Sequence, residues 1–153
     1  MDNYIQKGLP FSKIDQIGVI VRDINKAVKH YQALGIGPFT TKNLVGRDRR
    51  VYGEPVDDLK VLTMFCQMGD VELELIQPVS GRTTWQAFLD KHGEGINHLG
   101  FFVADIEGET TKMVDRGYQV LQSGKFVGGG GYAYFDTDNI GGIIMELIQW
   151  PPL

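Results

Sequence analysis

Four polar side chains interrupt stretches that otherwise read as apolar strands: Gln16 in IDQIGVIV, Glu74 in VELELI, His98 in INHLGFFV and Glu146 in IIMELIQ. An amide oxygen, an imidazole nitrogen and two carboxylates make a donor set for a divalent cation, with positions left for water or substrate. So oxygen-rich a set suits six-coordinate Mn, Co, Ni or Mg, and Zn is admissible. Taken singly, a glutamine or histidine in a strand is more often a hydrogen-bonded structural residue than a ligand. Two carboxylates buried together, however, are costly unless a cation or a proton compensates them. The case for a site rests on the four acting as a set.

An internal repeat makes them one. Residues 14–24 (IDQIGVIVRDI) and 96–106 (INHLGFFVADI) share isoleucine, glycine, valine, aspartate and isoleucine at 14/96, 18/100, 21/103, 23/105 and 24/106. The tetrapeptide ELIQ then recurs at 74–77 and 146–149, in the same order along the chain. Gln16 and His98 therefore hold equivalent positions in two leading strands, and Glu74 and Glu146 in two closing strands. By alternation, Leu73 and Leu75 face away from Glu74, and Met145 and Leu147 face away from Glu146. Those apolar sides are expected under helices, which leaves the carboxylates on the opposite, concave face. A pseudo-two-fold axis between the halves then brings all four polar residues to one cleft.

The elements that position them follow the same plan twice. A strand (14–21, 96–103) leads to Asp23 or Asp105, N-caps whose carboxylates accept the free first-turn amides. Ile24, Ala27, Val28, Tyr31 and Leu34 form the apolar stripe of the first helix, and Ile106, Met113 and Val114 that of the second. Gly35 and Gly117 supply the left-handed stops. Antiparallel strands are expected next, at 39–44, 60–67 and 71–76 in one half and at 118–122, 132–136 and 143–149 in the other. Between the halves, Thr83-x-x-Gln86 is a capping-box pattern that opens a connector helix over 83–93.

Composition bounds the rest. The 153 residues are 42% hydrophobic and 22% charged, which excludes wholesale disorder, and a net charge of -4 argues against a broad nucleic-acid footprint. Cys66, the single cysteine, cannot form an internal disulfide. The opening MDNYIQKGLPFSK has no basic region followed by an apolar core, and no apolar run approaches bilayer length, so a soluble, cytoplasmic protein with no membrane partner is expected. The 20 glycines are about twice the usual share. Gly18 and Gly100 each lie two residues after a proposed ligand, where a side chain would obstruct a substrate.

The segments DQIGVIVRDINKAVKHYQALGIGPF, VELELIQP, INHLGFFVADI and GIIMELIQWPP resemble the vicinal oxygen chelate (glyoxalase/bleomycin resistance/dioxygenase) superfamily, from about residue 14 to the C-terminus. Within it the chain is most similar to methylmalonyl-CoA epimerases, through LGIGPF at 34–39 and ELIQP followed by a Trp-containing helix. The resemblance implies an α+β, glyoxalase-like fold: paired βαβββ modules, about 12–80 and 95–150, forming a metal-binding cleft in a single domain over 1–153. It places the metal ligands on Gln16, Glu74, His98 and Glu146 and implies a homodimer, dimers being common in the superfamily. Epimerases have a histidine where Gln16 stands, whereas Gln/Glu/His/Glu is the ligand set of animal-type glyoxalase I. Glyoxalase I in turn places an arginine for glutathione where this chain has Ile20. The second glutamate base of the epimerases, near 61–63, has no match.

The chemistry expected is removal of a proton α to a thioester carbonyl, with an acyl-CoA as substrate and a divalent ion (Co, Mn, Ni, Zn or Mg) stabilising the resulting enediolate. Glu146 is the candidate base. Glu72, on the same strand face as Glu74, is a second acid or base, or else a solvated rim residue. Tyr132, Tyr134 and Asp136 follow on one strand face towards the cleft. Arg47, Arg49 and Arg50, with Lys42, form the one basic cluster, read either as contacts to CoA phosphates or as a solvated loop. The Gly-rich stretch 124–131 is either a lid or a hairpin connection. His30 and His92 are expected at the surface and Cys66 in packing. The alternatives to the epimerase are a glyoxalase I-type lyase and a metal-free small-molecule binding protein.

Overall fold

The computed structural model describes residues 8–153; the first seven, and with them the start of the segment read above for a leader, lie outside the described residues. The elements run β1 (Gln16–Ile20), α1 (Ile24–Ala33), β2 (Gly46–Val51), β3 (Glu54–Pro55), β4 (Lys60–Met68), β5 (Val71–Ser80), α2 (Thr84–His92), β6 (Gly95–Phe102), α3 (Ile106–Asp115), β7 (Val120–Phe126), β8 (Gly131–Phe135) and β9 (Ile144–Gln149). All the strands join one mixed sheet in the order β3-β2-β7-β8-β9-β6-β1-β5-β4. The fold is α+β and glyoxalase-like. None of the described helices is long and apolar enough to cross a membrane.

The repeat is written into the middle of that sheet. β1 and β6 pair antiparallel, and each then pairs in parallel with the closing strand of its own half, β1 with β5 and β6 with β9. A parallel neighbour requires a crossover, and α1 and α3 begin the two crossovers. Asp23 accepts from Lys26 N at 3.0 Å and Asp105 from Gly108 N at 3.0 Å, as expected of N-caps. The ELIQ repeat adds a second device. Gln77 Oε1 accepts from Ile24 N at 2.9 Å, and Gln149 Oε1 from Ile106 N at 3.0 Å, so each closing strand also holds the first amide of its own helix.

Alternation sorts the core as the sequence implies. Val19, Val21, Leu73 and Leu75 pack with Ile24, Ala27, Val28 and Tyr31, while Phe101, Met113 and Leu147 form the matching cluster under α3; Leu34 and Val114, expected in the two stripes, are exposed. Leu75 and Leu147 are wholly buried, each contributing about 1.5–3 kcal/mol. A third cluster joins Ile20 and Ile76 to Trp85 of α2 and to Tyr134. Cys66 is buried in the first cluster; His30 and His92 are exposed.

The first half departs from its expected plan. Residues 39–44 form no strand; Thr40 makes a single antiparallel bridge to Phe65. The chain then crosses to the other half, where β2 pairs antiparallel with β7 and closes a hairpin with β3 through Tyr52 and Gly53, both at positive φ. GRDRRV contains one apolar residue and no alternation, so no period marks it as a strand. The stretch 124–131 is a hairpin: β7 runs to Phe126 and β8 starts at Gly131. Its turn is closed by Phe126 N donating to Gly130 O at 3.1 Å.

Candidate functional site

Gln16, Glu74, His98 and Glu146 meet at the centre of the sheet. The register explains why: Gln16 lies opposite Gly100 and Gly18 opposite His98 across β1 and β6. Each polar side chain thus lies over a glycine of the other half. A Cβ on Gly18 would overlap the His98 ring, and one on Gly100 would stand 2.9 Å from Gln16 Cβ. Gly18 and Gly100 therefore clear space for the proposed ligands themselves, and not for a substrate as their spacing suggests.

His98 Nε2 lies 3.0 Å from Glu146 Oε2, 3.3 Å from Gln16 Oε1 and 3.4 Å from Glu74 Oε2. Its Nδ1 is 3.0 Å from Asn97 Oδ1, an acceptor that fixes the proton on Nδ1 whenever the ring is neutral. One ring nitrogen with at most one hydrogen faces three oxygens, of which the buried Glu146 Oε2 is the nearest. The ligand atoms of Glu74, His98 and Glu146 lie within 4.8 Å of one another, and all three residues are buried. This Glu/His/Glu group could hold a metal ion, and the convergence of lone pairs on one point fits a divalent cation.

Electrostatics describes the same crowding. Burial, joined by the charges of Glu146 and Glu72, raises the Glu74 pKa against the opposing effect of His98. For His98, burial works against the imidazolium, but the Glu146 and Glu74 carboxylates outweigh it and lift the pKa to about 9. Burial and the Glu146 charge push Tyr132 up to about 12, and burial with Glu146 and Glu74 pushes Tyr134 well above its usual value. Both tyrosines stay protonated near neutrality.

The oxygens of this group face a cavity of about 580 Å³, lined by Gln16, Glu74 and Glu146 within and by Lys42, Arg49 and aromatic rings around them. Tyr134 packs edge-on against His98 at 4.9 Å between centroids and against Trp85 at 5.9 Å. Tyr132 stacks on Trp85 at 6.3 Å, and Trp150 stacks on Phe126 at 5.8 Å. Tyr132 and Tyr134 line the cavity, but Asp136 does not; it accepts from Gln119 N at 2.7 Å.

The basic cluster is divided. Arg49 lines the cavity and donates to Leu59 O at 3.1 Å. Arg47 pairs with Asp48 at 3.0 Å and lines a separate depression with Arg50 and Lys125. A register shift between Arg47 and Arg50, with Asp48 at φ 49°, sends Arg47 and Arg49 apart although they are only two residues apart in β2. Glu72 is buried, not solvated at a rim, and both its oxygens are engaged: Oε1 by Gln16 Nε2 at 2.9 Å, Oε2 by Lys42 Nζ at 2.6 Å.

A family model described as the Glyoxalase/Bleomycin resistance protein/Dioxygenase superfamily matches residues 15–135. The chain belongs to that superfamily. Among its relatives are the uncharacterized protein YqjC of Bacillus subtilis, 26% identical with 90% of this chain and 92% of that protein covered, and the mitochondrial methylmalonyl-CoA epimerase of Bos taurus, 24% identical with 90% and 74% covered. The crystal structure of methylmalonyl-CoA epimerase from Mycobacterium tuberculosis superposes with a TM-score of 0.67 at 18% identity, covering 97% of this chain and 95% of that one. In this member of the superfamily Val61 and Thr63 line the cavity from β4, and no carboxylate stands on that wall. The sequence reading missed Asn97, Trp85, Trp150 and the engagement of Lys42 with Glu72. The adjacency of Asn97 to His98 was the one signal available.

Proposed function

We propose that the protein is a metal-dependent isomerase that moves a proton α to a thioester carbonyl, as a methylmalonyl-CoA epimerase does. The observation that supports this most is the crowding at His98 Nε2: three oxygens, two of them from buried carboxylates, lie within 3.4 Å of one nitrogen that carries at most one hydrogen, and all three belong to residues that line the cavity. The names of the bovine and mycobacterial relatives point to the same substrate class. When bound among Gln16, Glu74, His98 and Glu146, a divalent ion supplies polarisation of the substrate carbonyl, which acidifies the α proton.

The chain's own residues do the rest. Glu146 takes the α proton on its carboxylate. Tyr132 and Tyr134, kept protonated, offer O–H donors beside it, and Arg49 places positive charge in the cavity for an anionic substrate. The aromatic rings exclude bulk water from the carbon that loses its proton. With Glu72 engaged by two donors and β4 presenting Val61 and Thr63, return of a proton to the opposite face falls to a water in the cavity, and the hydroxide left takes the proton held on Glu146, which restores both.

The test is exchange at C2 of (2R)- or (2S)-methylmalonyl-CoA in deuterated water with Co, Mn, Ni, Zn or Mg added. Wild type is expected to exchange, and Glu146→Gln to lose about 100-fold or more, the usual worth of a general base. No exchange with any of the five ions overturns the proposal. Activity with methylglyoxal and glutathione is not expected, because Ile20 is wholly buried and presents no charge.

A further inference from the structure

The amide of Gln16 has two chemically opposite ends, and only one of them can serve a cation. Its Nε2 donates to Glu72 Oε1 at 2.9 Å, while its Oε1 lies 3.3 Å from His98 Nε2. Glu72 acts as an acceptor at both oxygens, since Lys42 Nζ donates to Oε2 at 2.6 Å. Lys42 is itself confined, its ammonium 3.9 Å from the centroid of the Trp150 ring and 4.3 Å from that of Phe65. A flipped amide would set its oxygen against the Glu72 carboxylate, acceptor against acceptor, with both residues buried.

We infer that Glu72 and Lys42 form a lock that fixes the amide orientation of Gln16, so that its oxygen, not its nitrogen, faces the metal-binding group. Lys42 holds Glu72, Glu72 holds Gln16 Nε2, and Gln16 Oε1 is presented to the cleft. Glu72 and Lys42 are positioning residues here. The lock answers a need particular to an amide, whose two ends differ in that the oxygen can face a cation and the nitrogen cannot. The inference rests on the metal reading above, and its test separates the two.

In the metal-free full chain, nuclear magnetic resonance is expected to show one glutamine side-chain NH2 pair, identified by its loss in Gln16→His, that exchanges with deuterated water far more slowly than the exposed glutamines. In Glu72→Gln that pair should shift and lose its protection. With Co²⁺ added, Glu72→Gln is expected to weaken binding about 10–100-fold and to change the visible spectrum of the ion, and Lys42→Met to act in the same direction by a smaller factor. In the Gln16→Ala background, which has no amide to orient, Glu72→Gln should change Co²⁺ affinity by less than about twofold. An equal loss in both backgrounds, or an amide pair indifferent to Glu72, overturns the lock. Wild type that fails to bind Co²⁺ while its amide pair behaves as expected overturns the metal reading and supports the lock.

Discussion

Replacing Gly18 with alanine should damage the site while leaving its four polar residues in the sequence. The added methyl would occupy the space of the His98 ring. That ring is wholly buried, edge-on to Tyr134 at 4.9 Å and bonded through Nδ1 to Asn97 at 3.0 Å, so it can yield only by breaking those contacts. Overpacking of this kind costs about 1–3 kcal/mol, and loss of the Asn97 hydrogen bond adds about 1 kcal/mol. Against this, alanine restricts the unfolded chain and returns roughly 0.4–1 kcal/mol. The net expectation is a loss of about 1–3.5 kcal/mol, or roughly 2–14 °C in Tm for a chain of this length. Gly95→Ala is the control. It lies on the same strand as His98, and its Cβ meets nothing within 4 Å. Urea unfolding of both variants, with Co²⁺ titration of the folded proteins, measures the two effects together. The reasoning is refuted if Gly18→Ala matches Gly95→Ala in stability and still binds Co²⁺ as wild type does.

Metal binding should release protons. With His98 lifted to about 9, its ring is protonated at pH 7 in the metal-free protein, so a cation that takes Nε2 must displace about one proton. Calorimetry in buffers of different ionisation enthalpy should show that proton, with apparent affinity rising about tenfold per pH unit from 7 towards 9; pH-independent affinity contradicts it. The sign for stability follows. A folded pKa raised above the unfolded value contributes stability below 6.5 that is lost as pH rises through about 9, and the raised Glu74 acts in the same direction above 4.5. Chelator-treated protein should therefore weaken from pH 6.5 to 9, and a rise in that window is the contrary result. Gln77→Ala and Gln149→Ala should each cost about 1 kcal/mol by urea unfolding, in similar measure, since each removes one acceptor from the first amide of a helix; no loss in either variant would show the bonds to be incidental. The chain's two tryptophans, Trp85 and Trp150, both line the cavity, so methylmalonyl-CoA should change intrinsic fluorescence saturably, whereas binding seen by calorimetry with silent fluorescence would place the substrate elsewhere.

What could be read in the sequence was what the repeat duplicates. The leading strands, the two helices with their aspartate caps and the closing ELIQ strands all recur, and the four central polar residues were placed by equivalence. Features present in one half alone were not legible. β2 belongs to the first half in sequence but pairs with β7 of the second, and its run of charges has no strand period. The separation of Arg47 from Arg49 depends on a register shift that spacing does not encode. Lys42 looked like part of a basic surface because the rings that confine it, Phe65 and Trp150, are far away along the chain.

Those one-sided features turn a symmetric frame into an asymmetric site. Each half contributes one glutamate from ELIQ and one side chain from its leading strand, and each leading side chain lies over the other half's glycine. The two leading residues then differ in kind and are supported differently. His98 is oriented by its neighbour Asn97, whereas the residue equivalent to Asn97 is Asp15, which is spent on Phe102 N at 2.8 Å. Gln16 is supported from the next strand by Glu72, and the position equivalent to Glu72 in the second half is Ile144, a core residue. Only the first half therefore needs, and has, a buried acceptor with a confined ammonium behind it. A duplicated cleft built this way has one side fixed by an imidazole and the other by an amide whose useful end is chosen by its neighbours. Substitutions at Glu72 and Lys42 should therefore alter the cation site from one side only, and equivalent changes at Ile144 should alter packing alone.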